Sequence, residues 1–154
     1  MAVDLHPDVD VEVGRMAGRV RGTAVVLALS VAASAAVSGC GAVSERRDDV
    51  RTATAAFEDA LGEGAYARAC GGLAPATVEE LEQSAGAPCA RALGEESLKP
   101  GGAVRVVDVY GNQARAVLAR DTLFLSHFAT GWKVVAAGCA PRPGTPYQCE
   151  IKGG

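Results

Sequence analysis

The chain has 154 residues and a formal net charge of −3, with 49% hydrophobic and only 5% aromatic residues. The few aromatic residues and the lack of a basic excess argue against a nucleic acid as the partner. The length allows one small domain beside a targeting segment, but not two domains.

The first residues do not look like the start of an export signal. Residues 1–14 contain four acidic side chains and no Lys or Arg, whereas a secretory signal begins with basic residues. Met16 begins a better signal. Two interpretations follow: translation starts at Met16, or residues 1–15 form a disordered cytoplasmic tail. In either case this segment lies outside the predicted fold.

An apolar run follows, and its flanks are those of a secretory signal peptide. Arg15, Arg19 and Arg21 precede the run, and residues 23–37 carry neither a charge nor an aromatic ring. A helix over this run is about 22 Å long at ~1.5 Å per residue, which is short of the ~30 Å hydrocarbon core of a bilayer. We therefore predict a signal peptide over residues 16–39 rather than a permanent membrane span.

The run ends in Val37-Ser38-Gly39-Cys40, which resembles the lipobox of bacterial lipoproteins. In that family the chain is cut just before the cysteine, here between Gly39 and Cys40, and the thiol receives a diacylglyceryl group. Two acyl chains anchor a protein stably in a membrane, whereas a single acyl chain gives only marginal binding. The resemblance implies a protein on the outer face of the cell membrane, with residues 40–47 as a lipid-anchored tether. The alternative is an ordinary signal peptide that leaves Cys40 free in a secreted product.

Four cysteines remain, namely Cys70, Cys89, Cys139 and Cys149. An even number in a small exported domain predicts two disulfides. Three connectivities are possible, and we favour Cys70–Cys89 with Cys139–Cys149 because each pair is close in sequence and brackets a turn-rich segment. The spacings do not fit a zinc site, and His127 is the single histidine after Cys40. We predict no metal and no cofactor.

The first half of the domain has the apolar period of helices. The pattern predicts four of them, over residues 48–61, 66–70, 75–86 and 88–93. In the first, Val50, Phe57 and Leu61 share one face. In the third, Thr77 and Glu80 predict a capping box, and Gly86 predicts the end of the helix.

The second half has the period of two that is typical of strands. Four strands are predicted, over residues 103–111, 112–119, 121–129 and 131–139. The connections are short enough for hairpins, and successive hairpins make an antiparallel meander. Residues 140–148 hold three prolines and are expected outside the sheet ladder. The predicted fold class is therefore α+β, with N-terminal helices packed on a four-stranded antiparallel sheet.

The order of elements from "AAFEDALGEGAYARAC" to "GWKVVAAGC" resembles small actinobacterial lipoproteins of the nuclear-transport-factor-two-like, or cystatin-like, family. In that family a curved sheet wraps a long helix as a cone. The resemblance implies a cone-like domain over residues 48–154, with "FATGWKV" as the best local match. The family includes ketosteroid isomerases and dehydratases beside members without known chemistry, so the fold does not assign a function.

Four residues are candidates for the chemistry of such enzymes. An isomerase needs a carboxylate base and an oxyanion donor inside an apolar cone, for which Tyr66 with Asp108 or Asp121 are candidates. A dehydratase-type pair would combine His127 with Asp108. Each also has a simpler interpretation: turn chemistry for Asp121, an exposed strand end for Asp108, packing for Tyr66 and a surface position for His127.

We therefore predict a lipid-anchored extracytoplasmic module without catalytic residues. Its expected partners are the membrane, through Cys40, and a small apolar ligand or another envelope protein. The alternative is an isomerase- or dehydratase-like enzyme that uses the cone interior. A stress or signalling component that acts with other membrane proteins is a third interpretation, which the sequence does not separate from simple binding.

Overall fold

The computed structural model describes residues 39–96 and 98–153. The predicted start region, residues 1–15, and the predicted signal peptide up to residue 38 lie outside the described residues. The described part of the chain is α+β, as predicted. Four helices come first, and a five-stranded antiparallel sheet and a separate two-stranded hairpin follow.

The four helices are α1 Gly39–Gly62, α2 Tyr66–Gly72, α3 Pro75–Ala85 and α4 Cys89–Glu95. The last three start close to their predicted positions. The first begins at Gly39 rather than at Asp48, so the residues expected to form a tether are helical. Nothing in the sequence stops the helix there, because neither glycine nor proline occurs between Ala42 and Leu61.

The predicted capping box of α3 is wrong. The helix begins at Pro75, which suits a first turn because its N–H would be unpaired there, and its N-cap residue Ala74 makes no side-chain hydrogen bond. Thr77 is instead buried, and its hydroxyl donates to the carbonyl oxygen of Val135 at 3.2 Å. This hydroxyl therefore ties the helix to the sheet. The predicted end of the helix is confirmed, since Gly86 caps it with a left-handed φ of 60°.

The strands are β1 Val104–Tyr110, β2 Gln113–Leu118, β3 Thr122–Phe128, β4 Gly131–Ala137, β5 Ala140–Arg142, β6 Thr145–Gln148 and β7 Ile151–Lys152. The main sheet has the order β1-β2-β3-β4-β7. Its first four strands form the predicted antiparallel meander. The fifth strand was not predicted: β7 is only two residues long and pairs with β4.

The proline-rich segment forms a hairpin of its own. β5 and β6 pair with each other and stay out of the main sheet, as expected. A two-stranded hairpin consists only of edges, so prolines that donate no hydrogen bond are tolerated there. The Cys139–Cys149 disulfide closes the base of this hairpin, and Cys70–Cys89 joins α2 to α4. Both predicted pairings are thus confirmed.

The two faces of the main sheet differ in burial. One face, called here the inner face, is buried and presents the row Val107, Ala116 and Leu123. The opposite face, called here the outer face, is half-buried and presents the row Asp108, Arg115 and Phe124. Inner-face side chains and the α1 residues Val50, Phe57 and Leu61 belong to one apolar cluster. The core therefore lies between α1 and the inner face.

The long helix α1 runs along the strands. Near its C-terminal end, Glu58 Oε2 accepts a hydrogen bond of 2.5 Å from the N–H of Gly101, just before β1. Near its N-terminal end, Arg46 Nη2 donates to the carbonyl oxygen of Gly111 at 2.6 Å, just after β1. The helix rises about 18 Å between these contacts and β1 is about 20 Å long. The N-terminal end of α1 therefore lies at the end of the strands where the turns at residues 111–112 and 129–130 are found. We call this end of the sheet the tip edge.

Candidate functional site

The structure does not bring the catalytic candidates together. Asp108 lies on the outer face of the sheet. His127 lies two residues after Leu125 in β3 and therefore shares the inner face with it. The His127 ring packs edge-on against Trp132, with 5.1 Å between ring centroids. The half-buried Tyr66 belongs to the helical layer, in the first turn of α2. Neither a Tyr66–Asp108 pair nor a His127–Asp108 pair is formed.

The remaining candidate, Asp121, is a turn residue whose carboxylate fastens two segments of the chain. Its Oδ1 accepts hydrogen bonds from the N–H groups of Thr122 at 2.5 Å and of Cys139 at 2.7 Å. Its Oδ2 accepts from the N–H of Gly138 at 3.0 Å. The carboxylate thus ties the β2–β3 connection to the base of the β5–β6 hairpin. Asp121 lies in the β2–β3 connection as predicted, but two of its three hydrogen bonds reach across 17 and 18 positions instead of staying within the turn.

A groove of about 330 Å³ opens on the outer face, between the sheet and the β5–β6 hairpin. Such a volume lies at the lower end of the range for small-molecule sites. The side chains that give the groove its chemistry are Tyr110, Gln113, Arg115, Phe124, Ser126 and Tyr147. They combine three aromatic rings with an amide, three hydroxyls, two of them phenolic, and one guanidinium group.

Tyr147 supplies the hairpin's side of the groove. Its ring packs edge-to-face on Phe124 with 5.1 Å between ring centroids, and its hydroxyl accepts a hydrogen bond of 3.4 Å from Arg115 Nη1. The Cys139–Cys149 disulfide limits how far this hairpin can move from the sheet. Sequence reasoning missed Tyr147 as a site residue. The available signal was an aromatic residue inside a short loop that two cysteines bracket.

Arg115 is the one charged residue among the described residues that line the groove, and its charge is compensated. Its Nη2 and Nε donate to Asp108 Oδ2 at 2.7 and 3.2 Å. The hydrogen bond to Asp108, and then that to Tyr147, raise the pKa of the guanidinium, so the group stays ionised. The groove therefore offers hydrogen-bonding groups without a net charge, which suits an uncharged and largely apolar ligand.

A buried carboxyl group, that of Glu58, lies at the opposite end of the strands from the tip edge. Glu58 is 8% exposed, and its Oε1 is buried without a hydrogen-bond partner. Burial raises the pKa of Glu58, and the charge of Asp121 adds to that shift, whereas the backbone N–H groups of Gly101 and Gly102 and the charge of Arg120 oppose it. Sequence reasoning missed Glu58, although it follows Thr54 at helical spacing in the buried stripe of α1.

Glu58 holds the linker between the helices and the sheet in place. The linker residue Gly101 leaves no room for a side chain, since a Cβ there would lie 2.6 Å from the Asp121 Cβ and 2.9 Å from Leu118 Cδ2. Arg120 Nη2 also donates to the carbonyl oxygen of Pro100 at 2.9 Å. Glu58 and Asp121 therefore both lie against Gly101 in a close-packed part of the fold, and we assign both a structural role.

Within residues 39–96 and 98–153, no group of three or more His, Cys, Asp or Glu side chains is placed to hold a metal ion. None of the helices described there is both long and apolar enough to cross a membrane. No family model matches this chain, and neither a curated protein nor a solved structure matches it. Function is therefore inferred from the residues of this chain alone.

Proposed function

We propose that this protein is a lipid-anchored extracytoplasmic module without catalytic activity, which binds a small, uncharged and largely apolar ligand in the outer-face groove. The groove carries this proposal, because a hairpin closed by a disulfide places Tyr147 beside Phe124 and so forms a walled site on the sheet.

The proposed anchor is Cys40, on the outer face of the cell membrane. The motif Val37-Ser38-Gly39-Cys40 supports it, and so does the oxidising compartment that two disulfides require. In α1, residues 42–45 are exposed, and from residue 42 onwards Val50 is the first buried side chain. An exposed stretch of helix thus separates the proposed anchor point from the core.

The proposed ligand chemistry follows from the groove walls. Tyr110, Phe124 and Tyr147 provide ring surfaces that favour apolar or aromatic groups. Gln113 and Ser126 provide an amide and a hydroxyl that can orient a ligand through hydrogen bonds. Arg115 is already paired with Asp108, the two side chains being 36% and 27% exposed, so the groove presents no uncompensated charge to a charged ligand. We therefore infer a preference for neutral ligands.

We also propose that the domain has the cone-like arrangement of the nuclear-transport-factor-two-like family. The element order and the course of α1 along the strands support this. In such a cone the interior would be occupied, since Phe57, Leu123 and Leu125 are at most 2% exposed. This filling favours the outer face as the ligand site. It also weighs against the isomerase- or dehydratase-like alternative, which needs convergent ionisable groups inside.

The groove can be tested with N-phenyl-1-naphthylamine, a neutral apolar probe whose fluorescence rises on binding. We expect saturable one-site binding, and about a tenfold weaker Kd for Tyr147→Ala, equivalent to about 1.4 kcal/mol for the lost ring contacts. Phe128→Ala is the matched control, because Phe128 is a partly exposed aromatic residue outside the groove. Equal weakening by both variants, or no saturable binding, would overturn the groove as the site.

The anchor can be tested by intact and peptide mass spectrometry of the protein from its native membrane, with and without reduction. We expect a diacylglyceryl group on an N-terminal Cys40 and the mass of four added hydrogens on reduction of the two disulfides. An unmodified chain that continues before Cys40 would contradict both the lipobox interpretation and the proposed location.

A further inference from the structure

Four large apolar side chains of the described residues are exposed, and three of them lie towards the same end of the strands. Val43 is 46% exposed, Tyr110 is 67% exposed and Phe128 is 36% exposed, all at the tip edge. The fourth, Val106, is 47% exposed and lies near the other end of β1. Single exposed apolar side chains are ordinary, but three at the same end of the strands make this end the most apolar part of the described surface to consider for a partner.

The contacts of Arg46 place these residues on the same edge. Arg46 Nη2 bonds the carbonyl oxygen of Gly111 and the Oδ1 of Asn112, at 2.6 and 3.1 Å. Val43 lies one helical turn before Arg46, and Tyr110 is next to Gly111 in the chain. Phe128 ends β3, which runs parallel in direction to β1 two strands away, so its end lies at the same edge.

The same edge faces the proposed anchor. α1 rises about 9 Å from Cys40 to Arg46 at ~1.5 Å per residue. An acylated Cys40 at the bilayer surface would therefore hold the tip edge within about a nanometre of the lipid. The helix is also fixed to the sheet, because the Arg46 guanidinium lies over the Trp132 ring at 5.5 Å as well as bonding the β1–β2 turn.

We propose that the tip edge docks on the outer leaflet of the membrane, with Val43, Tyr110 and Phe128 in the headgroup region. This inference rests on the proposed lipid anchor at Cys40. Tyrosine suits the position because its ring is apolar and its hydroxyl can stay hydrated. Since α1 is fixed to the sheet, docking holds the domain in one orientation. Tyr110 also lines the groove, so one wall of the ligand site lies at the lipid surface.

The docking depends on apolar contact rather than on charge. Residues 45–51 of α1 hold three acidic and three basic side chains, which cancel. Anionic headgroups therefore add little attraction, unlike the case of a polybasic segment. We expect the same docking on phosphatidylcholine vesicles with and without phosphatidylglycerol.

The experiment uses Trp132, the single tryptophan of the chain, which lies in β4 one residue from the tip edge. The full chain is produced in a bacterium that acylates lipoproteins, and the purified protein is inserted into phosphatidylcholine vesicles. In one set of vesicles the acyl chains carry bromine close to the headgroups. We expect bromine to quench Trp132 fluorescence in vesicles that carry the acylated protein.

The variant Val43→Ser with Phe128→Ser removes apolar surface at the tip edge without touching a residue that lines the groove. We expect about a twofold loss of quenching, because interfacial binding scales with the apolar area buried. Val106→Ser is the matched control and should be quenched as strongly as the wild type. Unchanged binding of N-phenyl-1-naphthylamine shows that each variant is folded.

The outcomes separate the docking from the anchor. Protein that floats with the vesicles without quenching of Trp132, or with equal quenching in the double variant, would show that the anchor is right and the docking wrong. Protein that does not float would overturn the anchor and the docking together. Chemical cross-linking tests whether a second copy of the chain covers the tip edge instead. A cross-linked dimer that the double variant abolishes would mean that the proposed docking on the membrane is wrong.

Discussion

Leu125 and Phe124 are neighbours in β3, yet they belong to different environments. Leu125 points to the inner face, is 1% exposed and belongs to the apolar cluster that includes residues of α1. Phe124 points to the outer face and is half-buried, because the ring of Tyr147 covers it only in part. The inner face is filled, so it holds the fold together. The outer face is covered incompletely, and this leaves room for a ligand.

The carboxyl groups follow the same division. On the outer face, Asp108 is partly exposed and forms an ion pair with Arg115 at 2.7 Å. On the helix side, Glu58 is buried and is held by a backbone N–H, with one oxygen unpartnered. The disulfides divide in the same way, since Cys70–Cys89 joins two helices and Cys139–Cys149 closes the hairpin over the groove. Stability and ligand binding should therefore respond to different substitutions.

The largest effect is expected from truncation of the inner face. Leu125→Ala should lower the free energy of unfolding by about 2–5 kcal/mol, because it leaves a cavity in a filled core. Phe124→Ala, at the next position, should cost less stability and should weaken the binding of N-phenyl-1-naphthylamine. Urea unfolding of the oxidised proteins measures the first effect and probe titration the second. Equal losses of stability would remove the distinction between the two faces.

The two disulfides give the next comparison. Removing either pair, as Cys70→Ala with Cys89→Ala or as Cys139→Ala with Cys149→Ala, should lower the free energy of unfolding by about 2–4 kcal/mol. Probe affinity should fall only when the second pair is removed, because only that pair holds the hairpin with Tyr147. Thermal unfolding and probe titration of both double variants check this. Weaker binding in the Cys70 and Cys89 variant alone would contradict it.

Much of the fold was predictable because it depends on local patterns. The period of two gave four strands within a few residues of their observed ends, and the cysteine spacing gave both disulfides. The start of α1 was predicted at Asp48 because carboxylates suit a helix N-terminus. The helix extends before Asp48 because residues 42–47 include neither glycine nor proline, and it begins at Gly39. The cap of α3 was wrong since the Thr77 hydroxyl found a partner in the sheet.

The site was less predictable because its contacts join residues that are far apart in the sequence. Arg115 meets Tyr147 across 32 positions, and Glu58 meets Gly101 across 43. The apolar period of the sequence predicts which face of a helix or strand a residue occupies, but it does not predict which distant residue that side chain contacts. For Asp108 the period correctly indicated a strand position, while its pairing with Arg115 depends on the register of β1 with β2. Such pairings become visible only once the chain is folded.

The smallest effect, and the one with a defined pH dependence, concerns Glu58. Burial raises the pKa of its carboxyl group above the value in the unfolded chain, so the folded state holds the proton more tightly. As pH rises from the pKa of Glu58 in the unfolded chain to its higher pKa in the folded chain, the unfolded state loses its proton first. The contribution of Glu58 to the free energy of unfolding therefore falls. Glu58→Gln cannot ionise, and its amide oxygen can still accept from Gly101. The variant should therefore gain stability relative to the wild type as pH rises from about 4, near the ordinary pKa of a glutamate, to neutrality.

Asp108→Asn is the matched control, because it removes a carboxylate that is paired with a cation. At neutral pH it should lower the free energy of unfolding by about 1 kcal/mol or less, as for other exposed ion pairs. The two substitutions thus remove one negative charge each and should act with opposite sign. Urea unfolding of both variants and of the wild type across this pH range gives the comparison. If Glu58→Gln instead lost stability at neutral pH, the charged form of Glu58 would be the favoured one, stabilised by the backbone N–H groups of Gly101 and Gly102 and by the charge of Arg120.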